Sequence, residues 1–379
     1  MLIGINGYEA VVPRFGHDPK TGLPRRVGSS EYCFQLLSNL NRIDKKNKYL
    51  IYLPQIPTPD LPEESANWHY KIIKPRKMWT LVGLSLEFFF KSSKPDVFLS
   101  PTHYLPIFTP KKSAISVLDV SYTRFPELFK PKDLSQLTKW TRYSVKKAKA
   151  IFTISESSKD DIMKTYGISG DRIKVTYPGI RRLDSRNKTL SMDEFKGKYG
   201  LKKDYILFVG TLQPRKNIVR LIEAFSMLKD GTELIIIGKK GWLYEEILSA
   251  PKKFNVEDRV RFLDFVPDED LGLFYKNATC FVLPSLYEGF GLPILEAMSY
   301  GCPVIAGNIS SLPEAAGDAA LYVDPLSVAD INKKLELITG DQELREKLIK
   351  KGYEQVKKFS WEKTAGETLK ELESLKRQI

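Results

Sequence analysis

The chain contains few residues that could hold a metal ion or form disulfide bonds. Only 3 cysteines and 3 histidines occur among its 379 residues. Cys33, Cys280 and Cys302 lie in apolar stretches, and their spacings fit neither a disulfide framework nor a zinc site. We therefore predict no structural or catalytic transition metal.

Long apolar runs are also absent. No stretch of eighteen apolar residues occurs, so the sequence predicts no membrane-spanning helix. The N-terminal stretch MLIGINGYEAVVPRF has no basic region followed by an apolar segment, which is the pattern of a signal peptide. We therefore expect a cytoplasmic location.

Basic charge is concentrated in the first half of the chain. The net charge is +13, and residues 1–180 hold 28 basic and 16 acidic side chains, against 31 and 30 in residues 181–379. Such a basic domain can bind nucleic acid, an anionic membrane surface or a phosphorylated substrate, or it can be a solvated surface without a partner. No helix-turn-helix, zinc-finger or RNP-like pattern accompanies the charge, so we predict no nucleic-acid partner.

Two predicted helices in this basic half could meet an anionic surface. The first covers about residues 78–91, where aromatic and aliphatic side chains lie between basic flanks. It could lie on a membrane or cover the sheet of its own domain, and the apolar strand that follows it favours packing against the sheet. The second covers residues 134–150 and has a basic face. The cations are Lys71, Lys74, Arg76, Lys77, Lys91 and Lys94 around the first helix, and Lys139, Arg142, Lys146, Lys147 and Lys149 on the second.

Apolar strands alternate with amphipathic helices along most of the chain. This alternation is typical of a parallel, doubly wound α/β sheet. Residues 180–203 are polar and contain no apolar strand, so we place a domain linker there. Strands are predicted at residues 2–5, 49–53, 114–118, 205–209, 234–237, 260–266 and 280–283, and helices at residues 29–43 and 217–228 among others.

The most informative stretch is LPSLYEGFGLPILEAMSYGCP, residues 283–303. An apolar strand runs into a glycine-containing loop, and Pro293 opens an amphipathic helix, which leaves N–H groups such as that of Ile294 to point out of the helix start. The helix dipole favours an anion there. Glu288 in the loop and Glu296 one turn into the helix then flank the anion, either as acceptors for sugar hydroxyls or as ordinary solvated residues.

A second loop adds positive charge. The stretch GTLQPRKN, residues 210–217, follows a strand and opens a helix at the carboxyl edge of its sheet, where ligands bind in such folds. Arg215 and Lys216 would lie next to the anion and offset charge on a leaving group. The acidic run at residues 268–270 looks like an Asp-x-Asp metal motif, but it begins an amphipathic helix and is interpreted as capping charge.

These stretches together resemble a known family. The segment EGFGLPILE, followed by AMSYGCPVIA, is similar to the E-x7-E signature of the retaining glycosyltransferases of family 4, a group 1 family that includes mannosyltransferases. The stretches TISESSKDDI, VTYPGI, FVGTLQPRKN, IIIGKKGW and RVRFLDFVPDEDL agree in the same order along the chain. The resemblance implies a GT-B fold, which is an α/β fold with two Rossmann-like doubly wound domains facing across a cleft. Residues 1–180 would bind the acceptor, residues 181–358 the nucleotide sugar, and residues 359–379 would form a helix crossing back to the first domain.

The resemblance also implies roles for single residues. Glu288 would lie against the donor sugar, Glu296 would accept hydrogen bonds from the ribose hydroxyls, and Lys216 matches the family's phosphate-binding lysine. Asp119 matches an aspartate that ends a strand in the family. The implied catalytic residues are Glu288, Arg215, Lys216 and Asp119, and the implied donor-binding residues are Gly28, Gly210, Thr211, Arg215, Lys216, Gly238, Val266, Glu288, Gly289, Phe290, Gly291, Leu292 and Glu296.

Two positions depart from the family pattern. Leu118 stands where the family commonly has a histidine beside the donor sugar, and Thr211 stands where many members have an arginine, whose charge Arg215 would supply. These departures leave open a GT-B-like sugar-nucleotide epimerase or a non-catalytic sugar-nucleotide-binding protein. A dinucleotide dehydrogenase is disfavoured, because the first strand carries only Gly4-x-x-Gly7 and no G-x-G-x-x-G.

The resemblance implies a retaining hexosyl transfer without metal or cofactor. The donor would be a nucleotide-diphosphate sugar, and the acceptor a glycan or a lipid-linked molecule in cell-surface polysaccharide or glycolipid synthesis. GDP-mannose is the first expectation and a UDP-hexose the second, because mannose donors are common among relatives with similar GTLxPRKN and GKxGW stretches. We expect a cytoplasmic enzyme that can associate with the inner face of the cell membrane.

Overall fold

The computed structural model describes residues 1–13, 16–18, 21–74, 78–90, 94–180, 190–201, 203–264 and 266–377. The chain divides into two compact units, the first of residues Met1–Gly179 with Ser360–Ile379 and the second of residues Ile180–Phe359. Among the described residues, the first unit contains a seven-stranded sheet and the second a six-stranded sheet, and all strand pairs in them are parallel.

Apolar strands and amphipathic helices build the first unit. Its strands are β1 (Leu2–Asn6), β2 (Lys48–Leu53), β3 (Trp68–Ile72), β4 (Val97–Ser100), β5 (Ser113–Ser116), β6 (Ala150–Thr153) and β7 (Ile173–Val175). Its helices up to the end of β7 are α1 (Tyr8–Val11), α2 (Ser29–Ile43), α3 (Leu84–Phe90), α4 (Ser121–Arg124), α5 (Pro131–Lys147) and α6 (Glu156–Tyr166). The strand order is β3-β2-β1-β4-β5-β6-β7. Every residue of β4, β5 and β6 is buried, as expected for parallel strands with helices on both faces.

The helix predicted over residues 78–91 packs against the sheet. A π-helical turn (Trp79–Gly83) precedes α3, and both are covered on one side by the core. Trp79, Leu84 and Phe88 are buried in a cluster with Phe98 of β4, which confirms the packing interpretation of this helix. The opposite side of α3 is exposed. Arg76, Lys77 and Lys91 of the predicted basic flank lie outside the described residues.

Some boundaries in the first unit differ from the predicted ones. No strand is predicted at Trp68–Ile72, yet β3 pairs there with β2 because Trp68 is buried against Tyr49, with ring centroids 4.9 Å apart. The strand predicted to end at Leu118 ends at Ser116. The helix predicted to begin at residue 134 begins at Pro131, a residue whose fixed φ suits the first helical turn.

The second unit contains residues 283–303, the most informative stretch of the sequence. Its strands are β8 (Tyr205–Val209), β9 (Glu233–Ile237), β10 (Val260–Leu263), β11 (Cys280–Leu283), β12 (Val304–Gly307) and β13 (Ala320–Val323). Its helices are α7 (Met192–Tyr199), α8 (Ile218–Ser226), α9 (Glu245–Lys253), α10 (Asp268–Asn277), α11 (Leu292–Ser299), α12 (Leu312–Ala316), α13 (Val328–Gly340) and α14 (Gln342–Val356). The strand order β10-β9-β8-β11-β12-β13 reverses between β8 and β11, and ligands bind at such a switch point.

The linker predicted at residues 180–203 is wrong in its second half. Residues 181–189 and 202 lie outside the described residues, but α7 forms at Met192–Tyr199. Ser191 and Glu194 form a capping box at its start, with the Ser191 N–H donating to the Glu194 carboxylate at 2.8 Å. Phe195 is buried with its ring 4.9 Å from that of Phe274 in α10. The helix was not predicted because the segment is polar and only one of its residues, Phe195, is buried in the core.

The last helix, α15 (Trp361–Arg377), belongs to the first unit. Its Trp361 ring lies 5.9 Å from the Tyr32 ring of α2. The Thr364 hydroxyl donates to the Tyr177 carbonyl at 2.5 Å. A side chain at Gly179 would overlap the backbone nitrogen of Trp361, so the chain passes the start of α15 where only glycine fits.

Candidate functional site

The site forms in the second unit at the carboxyl ends of its central strands. Three loops follow the neighbouring strands β8, β11 and β12: residues 210–217, 284–291 and 308–311. The 210–217 loop ends in a 3-10 turn (Pro214–Lys216) before α8, and the 284–291 loop leads into α11. The strand order alone brings these loops to one edge of the sheet.

Glu288 lies at the centre of this group of loops. Its carboxylate accepts hydrogen bonds from the Lys216 Nζ at 2.5 Å and the Ser285 hydroxyl at 2.7 Å, both at Oε1. The Arg215 Nη1 lies 3.5 Å from Oε2. Glu288 is 8% exposed and Lys216 is equally buried, so this is a buried ion pair. The structure therefore brings together three of the four predicted catalytic residues.

The surroundings of Glu288 keep its carboxylate ionised. Burial by itself raises the pKa of a carboxyl group, but the positive charges of Lys216 and Arg215 and the hydrogen bonds from Lys216 and Ser285 outweigh it. The pKa of Glu288 therefore lies below its usual range. At neutral pH the site holds one anion and two cations, a net positive charge suited to a phosphate ligand.

Two serines hold the backbone of Glu288. The Glu288 N–H donates to the Ser310 hydroxyl at 3.0 Å, and the Ser311 hydroxyl donates to the Glu288 carbonyl at 2.8 Å. Ser310 has a positive φ of 50°, which is uncommon for a residue other than glycine. The loop after β12 therefore fixes the position of Glu288. Ser285 lies within the stretch of residues 283–303 but was given no role there, and Ser310 and Ser311 lie outside the sequence motifs.

Asn217 joins the loop of residues 210–217, which carries Arg215 and Lys216 and which we call the cation loop, to the neighbouring loops of the site. Its Nδ2 donates to the carbonyls of Pro284 at 3.0 Å and Pro325 at 2.6 Å, and its backbone has a φ of 60°. The Leu286 N–H also donates to the Arg215 carbonyl at 2.8 Å. Asparagine adopts positive φ more readily than most residues, so the Asn that follows Arg-Lys ends the 3-10 turn and links two loops at once.

The start of α11 differs in detail from the prediction. The Ile294 N–H was expected to point towards a ligand, but it donates to the Gly291 carbonyl at 2.9 Å. The first helical residue is Leu292, and Pro293 occupies the second position. The N–H groups of Gly291 and Leu292 have no hydrogen-bond partner within the described ranges, so they replace Ile294 as the donors available to an anion. Gly289 and Phe290 are buried in the loop before them.

Glycine is required at the N-cap of α11. Gly291 has a φ of 104°, and a Cβ there would lie 2.8 Å from Cδ2 of Leu312. Both the backbone conformation and the contact with α12 exclude other residues without movement.

Glu296 is held on the same helix by a buried tyrosine. The Tyr275 hydroxyl of α10 donates to Oε2 of Glu296 at 3.1 Å. Burial and the neighbouring Glu296 carboxylate raise the pKa of Tyr275 well above its usual value, so Tyr275 remains a hydrogen-bond donor at physiological pH. Glu296 itself is half-buried. No sequence motif indicated this role for Tyr275, which lies on the amphipathic helix that follows the acidic run.

The remaining predicted donor residues of the second unit lie at the ends of β8, β9 and β10. A side chain at Gly238 would overlap the Gly210 carbonyl, so glycine at position 238 allows the loops after β8 and β9 to approach each other. Thr211 is exposed in the first of these loops. Val266 is buried just before α10. These residues surround the carboxyl edge of the sheet rather than the Glu288 carboxylate.

Gly28 and Asp119 belong to the first unit. Gly28 is the N-cap of α2, with a φ of 56°. Asp119 accepts a hydrogen bond from the Ser121 N–H at 2.9 Å and so stabilises the turn into α4. Leu118, at the position where the family commonly has histidine, packs its side chain against the core cluster that includes Leu99 and Phe152.

The described residues contain no cluster of three or more His, Cys, Asp or Glu side chains that could hold a metal ion. The acidic run at the start of α10 is used within the fold, because Asp270 accepts hydrogen bonds from the Lys198 Nζ at 2.5 Å and the Tyr199 hydroxyl at 2.6 Å. The three cysteines are buried and unpaired. Within the described ranges, no helix has both the length and the apolar character needed to cross a bilayer.

The fold and this site define a doubly wound α/β protein with a buried carboxylate and two cations at a topological switch point. Comparison with known proteins then identifies the family. The family model for glycosyl transferases group 1 matches residues 191–355. O-antigen chain mannosyltransferase B of Escherichia coli is 34% identical over 307 residues, which cover 79% of this chain and 78% of that protein.

Two solved structures show the fold. Sucrose-phosphate synthase from Thermosynechococcus elongatus aligns with a TM-score of 0.73 at 18% identity, over 99% of each chain. Alr3699/HepE of Anabaena, crystallised with UDP and glucose, aligns with a TM-score of 0.70 at 15% identity, over 98% of this chain and 99% of that one.

The chain belongs to the group 1 glycosyl transferases. The predicted group 1 glycosyltransferase family is thereby confirmed, and so is the GT-B fold class with its two Rossmann-like domains. The assignment to family 4 and its retaining mechanism stay predictions. The predicted enzyme class, a glycosyltransferase, is confirmed with it.

Proposed function

We propose that this glycosyltransferase moves a hexose, mannose in the first instance, from a nucleotide-diphosphate sugar to a glycan or lipid-linked acceptor in cell-surface polysaccharide synthesis. The name of the 34% identical relative, an O-antigen chain mannosyltransferase, supports both the sugar and the pathway class. The observation that carries the proposal is the buried group of Glu288, Lys216 and Arg215 at the switch point, next to the start of α11.

The diphosphate is proposed to bind between the cation loop and the start of α11. Lys216 and Arg215 supply positive charge, and the N–H groups of Gly291 and Leu292 supply hydrogen-bond donors. Because both cations contact the Glu288 carboxylate in this structure, a phosphate entering the site competes with that carboxylate for them. Binding of the donor would then redirect Glu288 from Lys216 towards the sugar.

The nucleoside is proposed to lie along α11. Glu296 accepts hydrogen bonds from the ribose hydroxyls, and the bond from Tyr275 fixes the orientation of its carboxylate. GDP-mannose is the first donor and a UDP-hexose the second. The remaining predicted donor residues, among them Gly210, Gly238 and Val266, are proposed to line this position, and the close approach of Gly238 to the Gly210 carbonyl supports this for the first two.

The reaction is proposed to retain the configuration of the sugar and to need no metal. The bond between the anomeric carbon and the diphosphate breaks, and a bond from the acceptor oxygen forms on the same face. The acceptor proton passes to the departing phosphate oxygen, and Lys216 and Arg215 stabilise the charge that builds on the diphosphate. Glu288 stabilises positive charge on the sugar, and Asp119, which matches the family's aspartate, is proposed as a further catalytic residue.

The acceptor is proposed to be presented at the inner face of the cell membrane. The net charge of +12 on residues 1–180 supports contact with an anionic membrane, and no nucleic-acid partner is proposed. The enzyme would act as a cytoplasmic protein that associates peripherally with that surface.

Isotope-labelled donors provide the test. The purified protein is incubated with labelled GDP-mannose, UDP-glucose or UDP-galactose and a lipid-linked glycan acceptor, with and without EDTA. We expect a labelled product from GDP-mannose that survives EDTA, with the anomeric configuration of the donor by NMR. Tight binding of several donors without transfer or hydrolysis would contradict the proposal and favour a binding protein, and conversion to an epimeric sugar nucleotide would favour an epimerase.

A further inference from the structure

Large apolar side chains are exposed together on one face of the first unit. Leu86, Phe89, Phe90, Ile107 and Phe108 are between 39% and 75% exposed, and we call this group the aromatic patch. The Phe89 ring lies 5.1 Å from the Phe90 ring and 4.8 Å from the Phe108 ring, measured between centroids. The patch is therefore a continuous surface, of the kind that marks an interaction site.

The loop that carries half of the patch is fixed by hydrogen bonds. The Ser85 hydroxyl of α3 accepts from the N–H groups of Ile107 at 2.7 Å and Phe108 at 3.3 Å. The Ile107 carbonyl accepts from the Tyr143 hydroxyl at 3.0 Å and the Lys147 Nζ at 2.5 Å, both in α5. The Phe108 ring is thus held on a loop that is hydrogen-bonded to α3 and α5, while the Phe89 and Phe90 rings lie on α3 itself, whose opposite side packs into the core.

Positive charge borders the aromatic patch. The Lys147 Nζ donates to the Ile107 carbonyl in the loop of the patch. Four more cations are exposed on or just after α5: Lys139, Arg142, Lys146 and Lys149. Glu87 of α3, an acid next to the patch, is neutralised by an ion pair with Lys71. A hollow of about 510 Å³ at the end of α5 is lined by the cations Lys146, Lys147, Lys149, Arg172 and Lys174 and the acids Asp171 and Glu371.

We infer that the aromatic patch inserts into the surface of an anionic phospholipid bilayer while the cations of α5 contact the lipid head groups. Exposed aromatic side chains beside lysine and arginine are the combination that binds membrane interfaces, where apolar burial and attraction to anionic lipid act together. A second copy of the chain fits less well, because pairing two such patches would bring two basic borders together. This inference rests on the proposed membrane location and names the surface that carries it.

Vesicle flotation tests the apolar part. The full chain, without donor or acceptor, is mixed with vesicles of phosphatidylcholine alone or with phosphatidylglycerol, at low and high salt. We expect binding to the anionic vesicles, a loss of about tenfold or more in Phe90→Ser, and about a hundredfold in the Phe89→Ser and Phe90→Ser double variant. Ile56→Ser is the matched control, because Ile56 is 73% exposed in the loop after β2, and it should bind as the wild type does.

The electrostatic part has its own variant. Lys146→Gln combined with Lys149→Gln should weaken binding to anionic vesicles about tenfold or more at low salt, and much less at high salt, where the charges are screened. Circular dichroism melting checks that each variant is folded. Wild-type protein that stays unbound at low salt, or phenylalanine variants that bind as well as wild type, would overturn the inference.

Sedimentation velocity completes the test. Loss of a wild-type dimer in Phe90→Ser would assign the patch to a second copy and also overturn the inference. Because no donor is present in the flotation assay, a negative result there leaves the proposed transfer reaction standing, and a failed transfer assay leaves the membrane surface standing.

Discussion

Replacing Lys216 by methionine removes one half of the buried ion pair while keeping the length of the side chain. In the wild type the Lys216 Nζ lies 2.5 Å from Oε1 of Glu288, and the two side chains are only 10% and 9% exposed. After the change, Glu288 keeps the Ser285 hydroxyl at 2.7 Å and Arg215 at 3.5 Å. The carboxylate is then buried with one weaker cation partner.

The size of the effect follows from this geometry. At an effective dielectric constant near 20, the attraction between the two charges is about 7 kcal/mol before solvation is counted. Burial of both charges offsets much of this, and breaking such a pair by removing one partner costs about 3–5 kcal/mol. Because Arg215 and Ser285 remain, we expect the free energy of unfolding to fall by about 3 kcal/mol.

The loss should also depend on pH. Since the pKa of Glu288 is lowered in the folded protein, its contribution to stability is present above its unfolded pKa of about 4.3 and disappears as the pH falls through the folded pKa. Lys216→Met removes the stronger of the two charges that lower this pKa, so protonation of Glu288 costs the variant less. The difference in unfolding free energy between wild type and variant should therefore narrow as the pH falls from 7 towards 4.

Urea unfolding at several pH values measures both effects. Lys351→Met is the matched control, since the Lys351 Nζ lies 2.7 Å from Asp318 in an exposed pair that should contribute little. The double variant Lys216→Met with Glu288→Gln has no buried charge left from the pair, and it should be more stable than Lys216→Met alone. A loss no larger than that of the control, or a pH-independent difference, would refute the reasoning.

The other predictions concern donor binding and the loop. Glu288→Ala should abolish transfer, yet calorimetry should show nucleoside diphosphate affinity equal to or tighter than wild type, because no carboxylate competes for the cations; retained turnover would contradict its role. Glu296→Ala should weaken nucleotide binding by about 1–3 kcal/mol, and an unchanged calorimetric affinity would exclude the ribose contact. Gly291→Ala should lower the melting temperature more than Gly231→Ala does. Both positions have a positive φ, but only at position 291 would the added Cβ also contact Leu312. Equal shifts in melting temperature would argue against that contact.

Much of the fold could be predicted because its signals are local. The period-2 and period-3.6 patterns identified most strands and helices, and the glycine and proline positions around residues 289–293 predicted the turn into α11. The misses have physical causes. The segment Trp68–Ile72 is an edge strand with outward polar residues, and α7 has a single core residue, Phe195, behind a polar surface.

The sequence predicted which charged residues form the site, but it did not predict all of the contacts that they make. Glu288, Arg215 and Lys216 were selected from two separate loops, and the structure brings them together, although their catalytic roles remain predictions. Ser310 and Ser311 could not be selected, because their hydrogen bonds to Glu288 depend on the loop after β12 folding back at a positive φ.

The sequence by itself determined most of the strand, loop and helix units, the family and the concentration of charge in the first half, because each depends on composition or on short local stretches of the chain. Only the tertiary structure decided that the Lys216 ammonium pairs with Glu288, 72 residues away. That pairing exists because β8 and β11 are neighbours in the sheet, which is a property of long-range strand order. The tertiary structure also decided which face of α3 is buried and which phenylalanines remain exposed, since both depend on what packs against the helix.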